Sequence, residues 1–255
     1  MNTITIAGLV LEFADLPATT APDAPPLVLL HEGLGCVAMW RRFPEKLAAA
    51  TGRRVIAWSR AGYGASEPYP TPRTPRYLHD EALTALPAFL AAMRIERPVL
   101  IGHSDGASIA LIFAGAFPEE VDRIIVMAPH EFVEPETLAG IRGAVEAWNT
   151  TDFPRRLAVY HRDAATVFAT WSSTWLNPDF HAWNIEEFLP AIRCPVLAIQ
   201  GVDDEYATLH QIEVIAEKTP GARLLKLANC GHSPHKDQPE VVVAAIAGFI
   251  ETPPA

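Results

Sequence analysis

Short, continuous apolar runs recur along the chain, rich in β-branched residues and bounded by proline, glycine or charge. Runs of this kind, without alternation, are typical of strands buried on both faces of a sheet. They lie at 27–30, 55–58, 99–101, 124–127, 196–199 and 224–227. Two earlier segments, 3–6 and 9–13, are separated by Ala7 and Gly8 and predict an antiparallel hairpin at the edge of that sheet.

Longer segments between these runs have apolar residues three or four positions apart, the spacing of a helix that buries one face. They cover 38–50, 78–93, 104–117 and 241–250. Strands that alternate with helices predict an α/β fold, because such connections produce a mostly parallel sheet with helices on both faces. With the hairpin included, the predicted sheet has eight strands.

The alternation stops between about residues 131 and 190, where helical spacing continues without a buried strand run. This stretch holds 10 of the 22 aromatic residues of the chain, almost double its share by length. Two interpretations stay open: a helical subdomain with its own aromatic core, or a lid whose rings face a ligand pocket. We expect most rings to be core, and interpret 131–190 as a helical cap on a core formed by 1–130 and 191–255.

Composition narrows the class of protein. The 255 residues include 20 Lys and Arg against 30 Asp and Glu, a formal net charge of −10, which argues against nucleic acid or an anionic membrane as partner. No apolar run approaches the roughly 20 residues of a membrane span. Three scattered cysteines are too few for a disulfide scaffold or a zinc cluster. A cytoplasmic globular protein is therefore predicted.

The strongest local motif is Gly102-His103-Ser104-Asp105-Gly106, which follows an apolar run and opens a predicted helix. In a Gly-x-Ser-x-Gly arrangement the serine occupies a strained strand-to-helix turn, and glycines flank it because the backbones pass close together. The turn exposes Oγ near a helix N-terminus, where N–H groups favour developing negative charge. Ser104 could instead only cap the helix, but the strand–turn–helix context favours a nucleophile.

A nucleophilic serine needs a base and a carboxylate that orients the base. The strand predicted at 194–200 leads to Asp203 and Asp204, either of which could serve. After the last strand, a glycine precedes His232 in a loop rich in turn residues, which suits a base that must reach the serine. His235 is the competing histidine.

Backbone N–H groups must also stabilise the oxyanion that forms when a carbonyl is attacked. Asp105 follows the nucleophile and offers one such group. The glycine-rich loop 31–35 offers the second, from Gly33 or Leu34. Another glycine-containing segment, 60–66, is predicted to be a structural turn.

Taken in order, these motifs resemble the α/β-hydrolase superfamily, in the form that carries a helical cap inserted after the sixth strand. The resemblance extends over essentially the whole chain. It implies that Ser104 is the nucleophile and His232 the base. It also implies that Asp204 is the acid, with Asp203 in reserve.

The same resemblance implies that the N–H groups of Gly33 and Asp105 bind the oxyanion. Many relatives have a glycine where this chain has Glu32, so we expect Glu32 to form a fixed internal hydrogen bond. Dehalogenases and epoxide hydrolases of the superfamily have aspartate at the centre of the turn. Ser104 at that position argues against both chemistries.

The chain is therefore predicted to be a serine hydrolase that cleaves a small or medium-sized apolar or aromatic carboxylic ester through an acyl-enzyme. The alternatives are a C–C bond hydrolase, a lactonase or an amidase with the same triad and, more remotely, a non-catalytic ligand receptor. The residues expected to line the substrate pocket are Leu34, His130, Trp148, Trp171 and Trp175. We expect a small-molecule partner, no metal, no cofactor, and a monomer or homodimer.

Overall fold

The computed structural model describes residues 2–69 and 73–252. Within them the strands are β1 Asn2–Ile6, β2 Leu9–Leu16, β3 Leu27–Leu30, β4 Val55–Trp58, β5 Val99–His103, β6 Arg123–Met127, β7 Val196–Gly201 and β8 Arg223–Leu227. They form one sheet in the order β1-β2-β4-β3-β5-β6-β7-β8. β1, β2 and β4 pair antiparallel, and β3 to β8 are parallel. The mostly parallel eight-stranded sheet is confirmed.

The strands β3 to β7 are buried along their whole length. Their side chains alternate between two hydrophobic clusters on opposite faces of the sheet. In β3, Val28 and Leu30 belong to one cluster, whereas Leu27 and Leu29 belong to the other. Because both faces are covered, the strands are apolar except near their ends, at Arg123, His103 and Gln200, and the two-residue alternation is absent from the sequence.

Helices cover both faces, and α1 and α10 pack on each other against one of them. The helix bounds are α1 Phe43–Thr51, α2 Tyr77–Asp80, α3 Leu86–Ala92, α4 Asp105–Ala116, α5 Pro135–Thr150, α6 Phe153–Ala158, α7 Ala164–Trp175, α8 His210–Lys218, α9 Pro234–Asp237 and α10 Pro239–Glu251. α4 packs on the opposite face and is buried around almost its entire circumference. No helix within 2–69 and 73–252 is both long and apolar enough to span a bilayer.

The single helix predicted over 38–50 is wrong in detail, because the structure has two elements there. A 3₁₀ turn, Val37–Trp40, ends at Arg41, whose φ of 51° lies in the left-handed region, and α1 begins at Phe43. The spacing of apolar residues conceals the break. Trp40 and Phe43 on either side of it pack in the same cluster, with ring centroids 5.8 Å apart.

The helix predicted over 78–93 is present, but its middle is a π-helical turn at Glu81–Ala85 between α2 and α3. Pro87 follows this turn and has no N–H, so the regular bond to the carbonyl four residues earlier cannot form. The wider turn accommodates the proline without breaking the apolar face of the helix.

The segment between β6 and β7 contains α5, α6 and α7. Two 3₁₀ turns follow α7, at Pro178–Phe180 and Glu186–Ala191. An isolated antiparallel bridge between Phe132 and Asn184 joins the two ends of the segment. Many of its rings pack against one another, as where Trp148 stacks on Phe168 at 4.1 Å between centroids. The helical content expected for 131–190 is present, and its separation from the core as a cap stays a prediction.

Gly106, in the first turn of α4, lies against the end of β3, where a Cβ would overlap the Leu30 carbonyl oxygen. We expect Gly106→Ala to push α4 from the sheet and to lower the free energy of unfolding by about 1–3 kcal/mol, as overpacked cores do. Urea unfolding followed by tryptophan fluorescence measures this change.

The matched control is Gly143→Ala in α5, because a Cβ there has no neighbour within 4 Å. Alanine favours a helix over glycine by up to about 1 kcal/mol, so this variant should be as stable as the parent protein or more so. Equal losses in the two variants would contradict the close packing of α4 on β3.

Candidate active site

Ser104 occupies the turn between β5 and α4 with φ 52° and ψ −118°, a conformation that costs energy for a residue with a side chain. Its N–H donates to the Met127 carbonyl at 2.9 Å, which ties the turn to the end of β6. The residue is only 7% exposed. The strained turn is the one that the Gly-x-Ser-x-Gly motif predicts.

Three side chains from separate loops form a chain of hydrogen bonds. Ser104 Oγ lies 3.0 Å from His232 Nε2, and His232 Nδ1 lies 2.8 Å from Asp204 Oδ1. Since a carboxylate only accepts, Nδ1 carries the proton and Nε2 is free to accept from the serine hydroxyl. The structure therefore brings the three predicted residues together in the order needed for proton transfer from serine to histidine.

Asp204 is held as an anion in a buried position. Burial of its carboxyl group would raise the pKa, but the charge and hydrogen bond of His232 and the Tyr206 N–H at 2.9 Å lower it below the usual range. Gln200 Nε2 donates to the other carboxylate oxygen at 3.2 Å. Asp203, the alternative, is exposed and directs no side-chain hydrogen bond to His232 among the described residues.

The backbone around His232 is anchored on both sides. His103 Nε2 lies 2.7 Å from the His232 carbonyl oxygen, and the His232 N–H donates to Glu205 Oε2 at 3.1 Å. The Tyr206 ring packs on the imidazole with centroids 4.7 Å apart. Sequence reasoning missed these three contacts although His103 lies in the serine motif and Glu205 and Tyr206 directly follow Asp204, because no local pattern shows that His232, more than 25 positions further along, packs against them.

His235 does not compete with His232 for the serine. Its ring is buried between Trp40, Phe43 and His103, with centroids 4.7–5.4 Å away. Burial, and then the charge of His103, hold the pKa of His235 well below its usual range. His235 is therefore a neutral packing residue behind the site.

The residues predicted to donate to the oxyanion, Gly33 or Leu34 and Asp105, line the same cavity as Ser104. The N–H groups of Gly33, Leu34 and Asp105 have no acceptor within the part of the chain that the structure describes. A Cβ at Gly33 would overlap the indole nitrogen of Trp171, so only glycine allows this loop to approach α7 so closely. The loop after β3 therefore offers unpaired donors that line the same cavity as Ser104, and their role in binding an oxyanion stays a prediction.

A cavity of about 280 Å³ opens above Ser104 and His232. Of the residues predicted to line it, Leu34, His130, Trp171 and Trp175 do so. Trp148 does not, and its assignment to the pocket is corrected: its ring is stacked on Phe168 and is used in packing within the 131–190 segment. Apolar lining residues absent from the prediction are Met39, Ile141, Phe153 and Leu157.

Two charged groups in the cavity wall neutralise each other. Lys236 Nζ donates to Glu32 Oε1 at 3.0 Å, which is a fixed hydrogen bond of the kind expected for Glu32. The other oxygen of Glu32 lies 3.5 Å from His103 Nδ1. Although burial opposes it, the charge of Lys236 lowers the pKa of Glu32 well below its usual range. At Glu32 and Lys236 the wall therefore presents an ion pair rather than a free charge, whereas the Glu205 carboxylate, which also lines the cavity, accepts from the His232 N–H.

Asp105 extends its carboxylate beneath the serine turn, where Tyr77 Oη donates to Oδ2 at 2.9 Å and Arg60 Nη2 lies 3.3 Å from the same oxygen. Trp175 Nε1 donates to Tyr77 Oη at 2.9 Å, so this network connects α7 to the serine turn. Arg60 belongs to the segment 60–66, which was predicted to be a structural turn. The sequence carries no signal for the contact, because Arg60 and Asp105 are 45 positions apart.

A metal site is not formed by the residues described. Within 2–69 and 73–252, no group of three or more His, Cys, Asp or Glu side chains is placed to hold an ion. Burial, and then the charge of Asp237, raise the pKa of Cys230 to about 11. Its thiol is therefore protonated near neutral pH, which makes it a poor nucleophile and a poor metal ligand.

The chain matches a known protein family and is similar in sequence to known hydrolases. The profile of a family described as alpha/beta hydrolase fold matches residues 25–166. The serine hydrolase BPHL of Homo sapiens is 26% identical over 192 residues, which cover 71% of this chain and 64% of that protein. The 2-hydroxymuconate semialdehyde hydrolase of Pseudomonas sp. (strain CF600) is 28% identical, covering 81% of this chain and 80% of that protein.

A solved structure shows the same fold over nearly the whole chain. The enol-lactonase from Burkholderia xenovorans LB400 superposes with a TM-score of 0.74 at 18% identity, covering 98% of this chain and 100% of that one. At this identity the likeness shows the fold alone.

Burial of histidines predicts a dependence of stability on pH. Burial is the main cause that lowers the pKa of six described histidines below its usual value: His31, His79, His103, His130, His161 and His235. As the pH falls through about 6.5, these histidines take up protons in the unfolded chain but not in the folded one. Their contribution to the free energy of unfolding is therefore fully present above that pH and decreases below it. For each pH unit below about 6.5, each histidine can lower the free energy of unfolding by up to about 1.4 kcal/mol. Burial raises the pKa of Glu81 and Glu131, and these two carboxyl groups act in the opposite direction, but the six histidines outnumber them. We therefore expect a net fall in the free energy of unfolding between pH 7.5 and pH 5, measured by urea unfolding.

His130 provides the specific control, because burial lowers its pKa to about 3. Between the same two pH values, the free energy of unfolding of a His130→Gln variant should fall by about 1–2 kcal/mol less than that of the parent protein. Glutamine does not titrate, so the unfolded variant takes up one proton fewer. Parallel losses in the two proteins would show that His130 titrates normally.

Proposed function

Because this chain belongs to the alpha/beta hydrolase family and is a hydrolase, we propose that it cleaves a small or medium-sized apolar or aromatic carboxylic ester through an acyl-enzyme. The observation that carries the proposal is the chain of hydrogen bonds from Ser104 through His232 to Asp204, at the floor of a largely apolar cavity. A hydroxyl paired to a neutral imidazole is the arrangement that nucleophilic attack on a carbonyl requires.

In the first half of the reaction, Ser104 Oγ attacks the ester carbonyl carbon while His232 Nε2 takes the hydroxyl proton. The tetrahedral oxyanion accepts hydrogen bonds from the N–H groups of Gly33 and Asp105. The C–O bond to the alcohol then breaks, and His232 returns the proton to the leaving oxygen. An acyl group remains on Ser104 and the alcohol departs.

In the second half, water takes the place of the alcohol. His232 Nε2 accepts one proton of this water as its oxygen attacks the acyl carbon, and the same two N–H groups hold the new oxyanion. Collapse of the intermediate breaks the bond to Ser104 Oγ, which receives the proton from His232. Asp204 keeps its hydrogen bond to Nδ1 throughout and stabilises the imidazolium in both halves.

The cavity supports an uncharged substrate with an apolar part. Its volume of about 280 Å³ is at the lower end of small-molecule sites. Trp171, Ile141 and Phe153 supply apolar surface, and the Lys236 ammonium in the wall is already paired with Glu32. A substrate carboxylate would have to displace that pair, whereas an aryl or alkyl ester requires no such exchange.

The segment 131–190 supports a division into core and cap. It supplies one wall of the cavity, with Ile141, Phe153, Leu157, Trp171 and Trp175, while 1–130 and 191–255 supply the serine, the histidine and the carboxylate. In this proposal the cap excludes water from the acyl-enzyme and selects the acyl or alcohol group, and the core performs the chemistry.

The nucleophile is tested with Ser104→Ala on a panel of p-nitrophenyl esters, a lactone, an aryl amide and a vinylogous diketone. We expect the parent protein to hydrolyse an aryl ester fastest and the variant to lose at least about 10³-fold in kcat, because the attacking hydroxyl is gone. A fluorophosphonate should label the parent protein and not the variant.

Ser173→Ala, on the exposed side of α7, is the matched control and should retain both labelling and turnover. Retention of ester hydrolysis by Ser104→Ala would remove the proposed nucleophile. Faster cleavage of the diketone than of every ester would replace the ester by a C–C bond as the substrate.

The acid is tested by comparing Asp204→Asn with Asp203→Asn. Asparagine at 204 presents an amide to His232 Nδ1 and no longer stabilises the imidazolium, so kcat should fall by about 10³–10⁴-fold. Asp203 is exposed, so its variant should stay within about twofold of the parent protein. The comparison uses initial rates on the same aryl ester, and a larger loss at 203 would exchange the two roles.

A further inference from the structure

Arg60 is a buried arginine whose side chain is 2% exposed, and it follows β4 beneath the candidate active site. Its guanidinium contacts the loop after β3, where Nη2 donates to the Glu32 carbonyl at 3.0 Å and to the His31 carbonyl at 3.4 Å. Nη1 and Nη2 lie 3.4 and 3.3 Å from Asp105 Oδ2 on the serine turn. One side chain thus joins the two loops that carry the proposed oxyanion donors.

The contact with Glu32 determines the direction of the peptide between Glu32 and Gly33. The Glu32 carbonyl also accepts from His31 Nδ1 at 2.7 Å and from the Gly35 N–H at 3.0 Å, so three donors hold it on the Arg60 side. In a planar trans peptide the N–H points away from the C=O. The Gly33 N–H is therefore directed away from Arg60.

The His31 ring is held in one tautomer by the same arginine. The backbone N–H of Arg60 donates to His31 Nε2 at 3.1 Å, and Nε approaches the same nitrogen at 3.3 Å. Nε2 must then accept, so the proton is on Nδ1, where it donates to the Glu32 carbonyl. Burial, and then the charge of Arg60, hold the pKa of His31 well below its usual range, which keeps this ring neutral.

On the serine turn, Arg60 compensates a charge that would oppose catalysis. The Asp105 carboxylate is buried one residue after the nucleophile, close to where the proposed reaction develops an oxyanion. An unpaired negative charge in such a low-dielectric place would raise the energy of that oxyanion. The guanidinium neutralises the carboxylate and fixes its position together with Tyr77, and so also fixes the peptide of Asp105.

We propose that Arg60 is the positioning residue of the oxyanion hole: it aligns the N–H groups of Gly33 and Asp105 and cancels the charge of the Asp105 side chain. This role rests on the proposed serine hydrolase function. Arg60 touches no reacting atom and acts through the two loops. Its removal should therefore weaken binding of the transition state far more than binding of the substrate.

The test compares Arg60→Lys with the parent protein. Lysine retains the charge but not the planar fork, so it cannot hold the Asp105 carboxylate and the Glu32 carbonyl together. We expect kcat on an aryl ester to fall about 10- to 100-fold, less than the loss of a whole oxyanion donor, with KM changed less than about threefold. Affinity for an aryl trifluoromethyl ketone should fall by the same factor as kcat/KM, whereas the product alcohol binds equally well.

The matched control is Arg123→Lys. Arg123 is also buried, and it holds carbonyl groups at the other end of the sheet, where Nη1 donates to Thr252 at 2.7 Å and Phe249 at 3.3 Å. This variant loses thermal stability without a selective loss of ketone affinity. Thermal melting and circular dichroism of all variants establish that they are folded.

If Arg60→Lys does not fold, a double variant, Arg60→Met with Asp105→Leu, removes the buried pair as a unit, which cores often tolerate. It should show the same selective loss of ketone affinity.

Three results would overturn the assignment to Arg60: unchanged kcat and ketone affinity, equal loss of ketone and alcohol affinity, or the same selective loss in Arg123→Lys. A parent protein that neither hydrolyses aryl esters nor reacts with the ketone would instead remove the proposed function, on which this role depends.

Discussion

The close approach of two backbones where β5 turns into α4 is the constraint on which the site depends. Gly106 lies against the Leu30 carbonyl, and this contact brings the N-terminus of α4 to the end of β3. The chain can pass from strand to helix in so little space only with Ser104 at a positive φ. The strain at that residue directs Oγ away from the sheet and toward the loops that follow the neighbouring strands.

Parallel strand order then determines what those loops contribute. In a parallel sheet the carboxyl ends of all strands lie at one edge, so the loops after β3, β5, β7 and β8 converge although they are far apart in sequence. Each loop supplies one functional group to the same place: Gly33, Ser104, Asp204 and His232. The triad geometry is thus a consequence of strand order and of one tight turn.

Three carboxylates at this site are tolerated in buried positions because each has a basic partner. Asp204 is paired with His232, Glu32 with Lys236, and Asp105 with Arg60. An isolated carboxylate at any of these positions would be costly in an apolar surrounding. Besides these pairs, the serine, the histidine, the Glu205 carboxylate and a few N–H groups are among the polar features of the cavity, whose walls are otherwise largely apolar and aromatic.

The sequence by itself determined the strands, the α/β fold and the order serine, acid, histidine, because these depend on local composition: runs buried on both faces and glycines at crowded turns. It did not reveal the break at Arg41 or the packing of Trp148 on Phe168, since apolar spacing is the same whether a ring faces a pocket or another ring. The residues alone left Asp203 and Asp204 open and the family resemblance favoured Asp204, but only the tertiary structure places Asp204 in contact with His232 and Arg60 beneath the serine turn. Those contacts join residues 28 and 45 positions apart in the sequence. They form because loops from different strands converge at one edge of the sheet, and a local sequence pattern carries no information about that convergence.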